Sequence, residues 1–304
     1  MFIGNKNYIY STNVRDNDIL RNSFNILVRK TFCFDFTEWY NAGYWGEMYI
    51  PHVLSDGERV VSNVSVNIMQ FDICGIKKNY IQLGTVMTDS EYCGKGLNRY
   101  IMENILEKYR DSTDGIYLFA NDTVLDYYPK FGFVPSKEYE YFMPCSGMAD
   151  VKPYVLERAS ISQERHSVGL YNAITGYCND DGFTNQNDRM YMDKNPGLYQ
   201  FWMAEGFWER IYYIPEKGAY VAADMEGKVL HIYQVFGKKY IETRRLAKSF
   251  GEGVEEVVTG YTPVCKEEFQ IREHKEEDCT LFIMGEDLQR IEKDKIMFPV
   301  LSHA

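Results

Sequence analysis

From Asp16 to Phe32, apolar residues recur at positions 20, 24, 27, 28 and 32, the spacing of an amphipathic helix. The runs EMYIPHVL (47–54) and RVVSNVSVNIM (59–69) flank Asp56-Gly57, which predicts a β-hairpin. In the second run Val60, Val64, Val66 and Ile68 share one face, while Asn63, Ser65 and Asn67 share the other. YIQLGTVMT (80–88) predicts the next strand, and its interior Gly84 marks a bulge or a close backbone approach. The loop SEYCGKGLNRY (90–100) leads into a helix with Leu97, Ile101, Ile105 and Tyr109 on one stripe. IYLFAND (116–122) predicts an apolar strand, followed by a short helix over 123–130 and the turn FGF (131–133).

Residues 1–145 therefore read as one complete α/β unit with a mixed sheet, and PCSGMAD (144–150) as its exit linker. Residues 151–304 follow a similar order. Helical material over 157–205 precedes a hairpin (210–224), a strand (229–236), a helix (238–250) and strands at 256–263 and 280–285. A structural repeat is expected, with an unrelated α+β domain as the alternative. The chain closes on KIMFPVLSHA, whose Met297, Phe298, Val300 and Leu301 call for a docked tail. The tail either packs on the second unit's own core or returns to a cleft shared by both.

With 304 residues, 45% of them hydrophobic and 15% aromatic, the chain has the material for a large core and two domains. No stretch approaches the ~20 apolar residues of a membrane helix. The start, MFIGNKNYIYSTN, lacks the basic-then-apolar order of an export signal, so a cytoplasmic protein without a membrane partner is expected. Cysteines at 33, 74, 93, 145, 178, 265 and 279 form no CxxC pair, and the five histidines are dispersed. No metal site and no disulfide framework is expected. The net charge of −11 is spread evenly, with 14 basic and 19 acidic residues in 1–150 and 19 and 25 in 151–304. Nothing here offers a basic stripe to nucleic acid. An acidic field suits a cationic substrate. None of these patterns encodes an oligomeric state.

The strongest chemical signal is strand–CGKGLN–helix over 80–110. A glycine-rich turn opening a helix lets backbone N–H groups converge on a pyrophosphate. A Walker loop is excluded, because Lys95 is followed by Gly96 instead of Ser or Thr. A dinucleotide fingerprint is excluded as well, because Arg99 stands where its third glycine belongs.

The stretch GTVMTDSEYCGKGL (84–97), followed by FANDTVLDYYPKFGF (119–133), resembles the GNAT superfamily of acyl-CoA N-acyltransferases. That family pairs an Arg/Gln-x-x-Gly-x-Gly/Ala loop with a later Asn that precedes a Tyr by seven residues, just before a Gly-Phe turn. Asn121, Tyr128 and Gly132-Phe133 have that arrangement. The chain departs at Cys93, which replaces the usual Arg or Gln, and at Asn98, which replaces a small residue. The two-part layout is similar to aminoglycoside-type acetyltransferases with a degenerate second GNAT domain.

The resemblance implies a GNAT fold with a catalytic domain over 1–145 and a GNAT-like domain without a CoA loop over 151–304. It implies acetyl-CoA as cosubstrate, held by Cys93, Gly94, Lys95, Gly96, Leu97 and Asn98. Val86, Met87 and Thr88 would hold the pantetheine arm and offer an N–H to the thioester oxygen, with Asn121 on the far side. Tyr128 would protonate the departing thiolate. The amine must lose a proton, and Glu47, His52, Asp89 and the Ala304 carboxylate are candidate acceptors, with His303 fixed beside the last. The segment 32–49 carries eight aromatics with Asp35, Glu38 and Glu47, which suits an organic cation at the acceptor site. The expected activity is acetyl transfer to a primary amine of a small cationic molecule. A protein N-terminal or lysine acetyltransferase and a non-catalytic acyl-CoA sensor are the other readings.

Overall fold

A computed structural model describes residues 2, 3, 5–179 and 185–304. A two-stranded ribbon, β1 (Phe2–Ile3) with β2 (Lys6–Asn7), precedes β3 (Ile9–Ser11). Helix α1 (Asp18–Phe32) begins where the Asn17 side chain accepts the Leu20 N–H at 3.1 Å. It ends at Cys33 in the left-handed conformation, φ 64°. Its buried face is Phe24, Leu27 and Val28. The short α2 (Thr37–Asn41) leads to β4 (Tyr49–Asp56), β5 (Arg59–Ile73) and β6 (Ile76–Thr88), an antiparallel meander. Helix α3 (Leu97–Tyr109) then crosses over to β7 (Gly115–Ala120), which runs parallel to β6. A crossover helix is what a parallel neighbour requires.

The helix expected over 123–130 is instead two single 3₁₀ turns, Asp122–Val124 and Tyr128–Phe131. Pro129 brings no N–H to an α-turn, and Gly132 ends the segment at φ 93°. The strands β8 (Val134–Pro135), β9 (Tyr139–Pro144) and β10 (Glu157–Arg158) follow. The stretch 157–205 holds α4 (Glu164–Asn179), β11 (Met190–Met192) and α5 (Pro196–Ala204), and residues 180–184 lie outside the described ones. Next come β12 (Ile211–Ile214), β13 (Ala219–Glu226), β14 (Val229–Phe236), α6 (Thr243–Ser249) and β15 (Glu256–Thr259). Helix α6 starts later than the apolar spacing predicts. The N–H groups of Tyr240 and Ile241 donate to the side chains of Gln186 and Asn187 instead of entering a helix. The chain closes with β16 (Gln270–Glu273), β17 (Thr280–Met284) and α7 (Arg290–Lys293).

One sheet runs β3-β4-β5-β6-β7-β17-β8, with β11 beside β5, and the other runs β10-β12-β13-β14-β15-β9-β16. The second repeats the first's plan, since β12, β13 and β14 are antiparallel and β15 returns parallel to β14 after α6. The sheets do not divide the chain at 145–151. Strand β17 completes the first sheet against β7, and β9 sits inside the second. The first sheet's α3 face buries Leu97, Ile101, Met102 and Ile105, while α1 and α2 cover its other face around Phe24, Phe36 and Trp39. A third core joins the two sheets. It gathers Phe71, Tyr80 and Tyr117 from the first, Tyr220 and Phe236 from the second, and Phe298 and Leu301 from the tail.

Candidate active site

Strands β6 and β7 pair only from Tyr80–Gly115 to Leu83–Leu118. Beyond that point they part, and Gly84 to Thr88 have no strand neighbour on the β7 side. On the β5 side the register also slips. Gly84 faces Ser65 and Met87 faces Asn63, so Thr85 and Val86 oppose the single residue Val64. Thr85 sits at φ 48°, unusual for a β-branched residue. Its Oγ1 is 2.8 Å from Tyr49 Oη, and Asn63 Nδ2 donates to its carbonyl at 2.7 Å. The polar row on β5 thus fixes a bulge that lines a cleft.

The cleft has a volume of about 400 Å³, and Gly84 to Thr88, Asn98, Phe119, Asn121, Tyr127, Tyr128 and Ala304 line it, with Phe32, Leu83 and Val124. Ala304 arrives there because the tail is anchored throughout. Ile296, Met297, Phe298 and Leu301 are buried, and the Phe298 ring stacks on Tyr117 with centroids 4.0 Å apart. Phe298 N–H donates to Glu138 at 2.7 Å and Val300 N–H to Gly260 at 2.8 Å. The buried Gln82 amide donates to Ser302 O and accepts the Ala304 N–H, both at 2.9 Å. A Cβ on Gly84 would stand 2.5 Å from Ala304 O, so glycine is what lets the tail in. Asn67 Nδ2, buried without a hydrogen-bond partner among the described residues, lies 3.5 Å from that same point.

Tyr128 is buried at the cleft, and burial pushes its hydroxyl up to about 12, so it holds its proton at neutral pH. Its neighbour Tyr127 donates to Asn98 Oδ1 at 2.8 Å, while Asn98 Nδ2 reaches Asn63 O at 3.3 Å. Asn98 thereby ties the start of α3 to β5. Asn121 precedes the first 3₁₀ turn and accepts from Thr123 Oγ1 at 2.7 Å.

The CGKGLN loop turns on Gly94 (φ 73°) and Gly96 (φ 79°), and space is open where a Cβ would stand on either. Gly96 caps α3, and Leu97 packs beneath it. Lys95 folds away, donating to Glu91 O at 2.7 Å over the Tyr92 ring. The Cys93 thiol donates to the carbonyls of Thr88 and Asp89 at 3.7 and 3.6 Å. The loop therefore offers an anion its backbone and the helix N-terminus.

Several residues singled out by sequence lie elsewhere. Glu47 is exposed and outside the cleft wall. His52 is buried against Tyr10 and Tyr109, and burial pulls its pKa down to about 3. Asp89 is ion-paired to Lys30 at 3.0 Å and Arg59 at 2.8 Å, which hold it down at about 2 despite burial. The His303 ring stacks on Phe119 at 3.9 Å and is pulled down to about 3 by burial, so it is a poor proton acceptor. Of the aromatics in 32–49, Phe32 alone reaches the cleft wall. Phe36, Trp39, Trp45 and Tyr49 are buried core, and Asp35 is tied to Arg29. Three strand-derived positions escaped the sequence analysis: Gln82, Thr85 and Phe119. The one signal for them was Gly84 in the middle of a strand.

Residues 17–135 match the family model of the acetyltransferase (GNAT) domain. A probable N-acyltransferase from Enterococcus faecalis has the same fold at 15% identity and TM-score 0.54, over 94% of this chain and 74% of its own. A GCN5-related N-acetyltransferase from Anabaena variabilis gives 12% and 0.55, over 90% and 72%. Eis1 from Mycobacterium abscessus gives 9% and 0.54, again over 90% and 72%. No curated protein matches the sequence. No helix among the described residues is long and apolar enough to cross a membrane. Residues 17–135 are thus similar in sequence to a GNAT acetyltransferase domain, and the chain shares its fold with these structures.

Proposed function

We propose that the chain moves the acetyl group of acetyl-CoA directly to the primary amine of a small cationic molecule, in the cleft between β6 and β7. What carries this reading is one juxtaposition: the open edge of the β6 bulge, the Tyr128 hydroxyl and Ala304 share that cleft. The CGKGLN loop fits a pyrophosphate, because its two left-handed glycines leave the backbone bare on the outer side.

Bound acetyl-CoA supplies the thioester carbonyl. Val86, Met87 and Thr88 hold the pantetheine arm along their unpaired edge, and an N–H there stabilises charge on the thioester oxygen, worth ~3–4 kcal/mol. Asn121 bounds the arm from the β7 side. An ammonium of pKa ~10.4 is neutral in only about one molecule in a few thousand at pH 7. Ala304 lines the cleft, and a chain ending there would carry a carboxylate able to take the proton, while Glu47 lies outside the cleft wall. Tyr128, still protonated at neutral pH, gives its proton to the departing sulfur.

The test is calorimetry with CoA, followed by free-thiol release from acetyl-CoA across an amine library. CoA binding and amine-dependent thiol release are expected. CoA binding without thiol release from any small amine or peptide would leave a sensor. Release with peptides alone would make the acceptor a protein.

A further inference from the structure

A second cleft, about 670 Å³ in volume, lies in the other half of the chain and shares no lining residue with the cleft at β6. That size holds a small molecule. Its walls are α4, the turn 215–218 between β12 and β13, and residues 237–239 after β14. Glycine shapes it in two ways. A Cβ on Gly169 would stand 2.1 Å from Tyr220 Oη, and one on Gly237 would stand 2.6 Å from the Ala219 Cβ. Glycine therefore lets α4 settle on β13 and the end of β14 settle beside it. A Cβ on Gly176 or Gly218 would meet nothing within 4 Å, and the cavity opens there.

The register of the sheet gathers positive charge at this cleft. Tyr220 pairs with Phe236, so Lys217 ahead of the one and Lys239 beyond the other reach the same end of the two strands. Arg165 stands on the α4 wall, shared with Glu157 at 2.9 Å. His166 beside it is 2% exposed. Ser160 N–H donates to its Nδ1 at 3.1 Å, which leaves the hydrogen of the neutral ring on Nε2. That nitrogen is buried without a hydrogen-bond partner among the described residues, 3.7 Å from Glu157 Oε2. The Tyr213 and Tyr220 rings, 4.9 Å apart, complete the wall. This is not a second copy of the cofactor cleft. The counterpart of that cleft, where β14 and β15 part after Ile232–Thr259, holds the tail, whose Val300 N–H donates to Gly260 O at 2.8 Å.

We propose that the cleft under α4 binds a small molecule carrying a phosphate or diphosphate group, at a site separate from the acetyl-CoA cleft and independent of the acetyltransferase reading. The phosphate meets Lys217 and Lys239 in charge-assisted hydrogen bonds. Glu157, beside Arg165, keeps the anion at the lysine end. His166 offers a donor to the rest of the ligand, and the Tyr213 ring offers it a flat apolar face.

The experiment is calorimetry on the full chain with inorganic pyrophosphate, ADP, adenosine and citrate. Pyrophosphate and ADP are expected to bind, ADP more than about tenfold tighter than adenosine. Lys217→Gln and Lys239→Gln should each weaken both ligands about tenfold, the worth of a hydrogen bond to a charged group. Gly176→Leu fills the cavity from a helical position and should abolish ADP binding with an unchanged circular dichroism spectrum. Because ADP resembles part of CoA, the titration is repeated in Gly96→Asp, where ADP binding at the second cleft should persist. No binding of pyrophosphate or ADP at millimolar concentration overturns the inference. Adenosine binding as tightly as ADP, or citrate as tightly as pyrophosphate, overturns the assignment to phosphate. ADP binding that survives Gly176→Leu and vanishes in Gly96→Asp places the ligand in the CGKGLN loop and overturns the second site.

Discussion

Gly84 carries a hydrogen where any other residue would carry a carbon 2.5 Å from Ala304 O, and its φ is not in the left-handed region. Alanine therefore fits the backbone there but not the tail. Gly84→Ala is expected to displace Ala304 and lower kcat/KM more than tenfold, with CoA affinity unchanged by calorimetry. Retained activity would remove Ala304 as the proton acceptor. Tyr128 makes a separate case. Its phenol is raised to about 12 by burial alone, with no charged neighbour behind the shift. Tyr128→Phe should cut kcat by roughly 10²–10⁴-fold, the worth of a positioned acid, while CoA binding holds. Full turnover in that variant would make Tyr128 a packing residue. Tyr128 was visible in sequence because its spacing from Asn121 sits just before Gly132-Phe133. Phe119 was not, since nothing along the chain says which face of an apolar strand meets a ligand. The carboxylates of 32–49 misled for a related reason. An acid near aromatics in sequence had already found an arginine in space, as Asp35 did with Arg29.

Strand β6, the 93–98 loop and α3 form the element that the chain spells out most fully. Alternation marked β5, the run 80–88 marked the end of β6 with Gly84 flagging the bulge, and Leu97, Ile101 and Ile105 marked the buried stripe of α3. What failed nearby was the short helix after β7, where Pro129 and Gly132 break an apolar pattern into 3₁₀ turns. Start points failed too where side chains capture backbone donors, as Gln186 and Asn187 do ahead of α6. The loop has a clean test because Gly96 occupies the N-cap of α3 at φ 79°. Asp is among the residues that both cap helices and tolerate that conformation. Gly96→Asp should therefore keep α3 folded while placing a negative charge where the pyrophosphate belongs. A loss of CoA affinity on the order of 100-fold is expected by calorimetry, with an unchanged circular dichroism spectrum. Undiminished binding would take the loop out of the cofactor site.

The two sheets lean on each other through β9 and β17, each of which belongs to the sheet of the other half of the chain. The sequence marks β17 as a strand and passes over β9, and an apolar strand carries no label for its neighbour. The tail was legible as docked, because five apolar residues near a terminus must be covered, yet its route follows from side chains far apart in sequence. Glu138 is one of these. It lies in the link 136–138 between β8 and β9, where the chain passes from one sheet to the other, and it accepts the Phe298 N–H. Burial raises its carboxyl from the ordinary 4.5 to about 7, against the pull of that N–H and of His274. The folded protein thus keeps a proton that the unfolded chain releases above 4.5. Stability from this group falls as pH rises from about 4.5 to about 7 and is level beyond, a total of roughly 3 kcal/mol at most. His274, raised by its bond to Glu140, loses its own contribution as pH rises past its usual range, so its slope has the same sign. Glu138→Gln separates the two, because an amide oxygen still accepts from Phe298 while nothing at 138 titrates. Urea unfolding of both proteins from pH 5 to pH 8 should show the unaltered chain losing stability relative to the Gln variant as pH rises. The same comparison by kcat/KM should show the tail held at Ala304 across the range in the variant. Parallel stability curves would mean that Glu138 is already ionised at pH 5, and that its place beneath the tail is paid for by the Phe298 N–H alone.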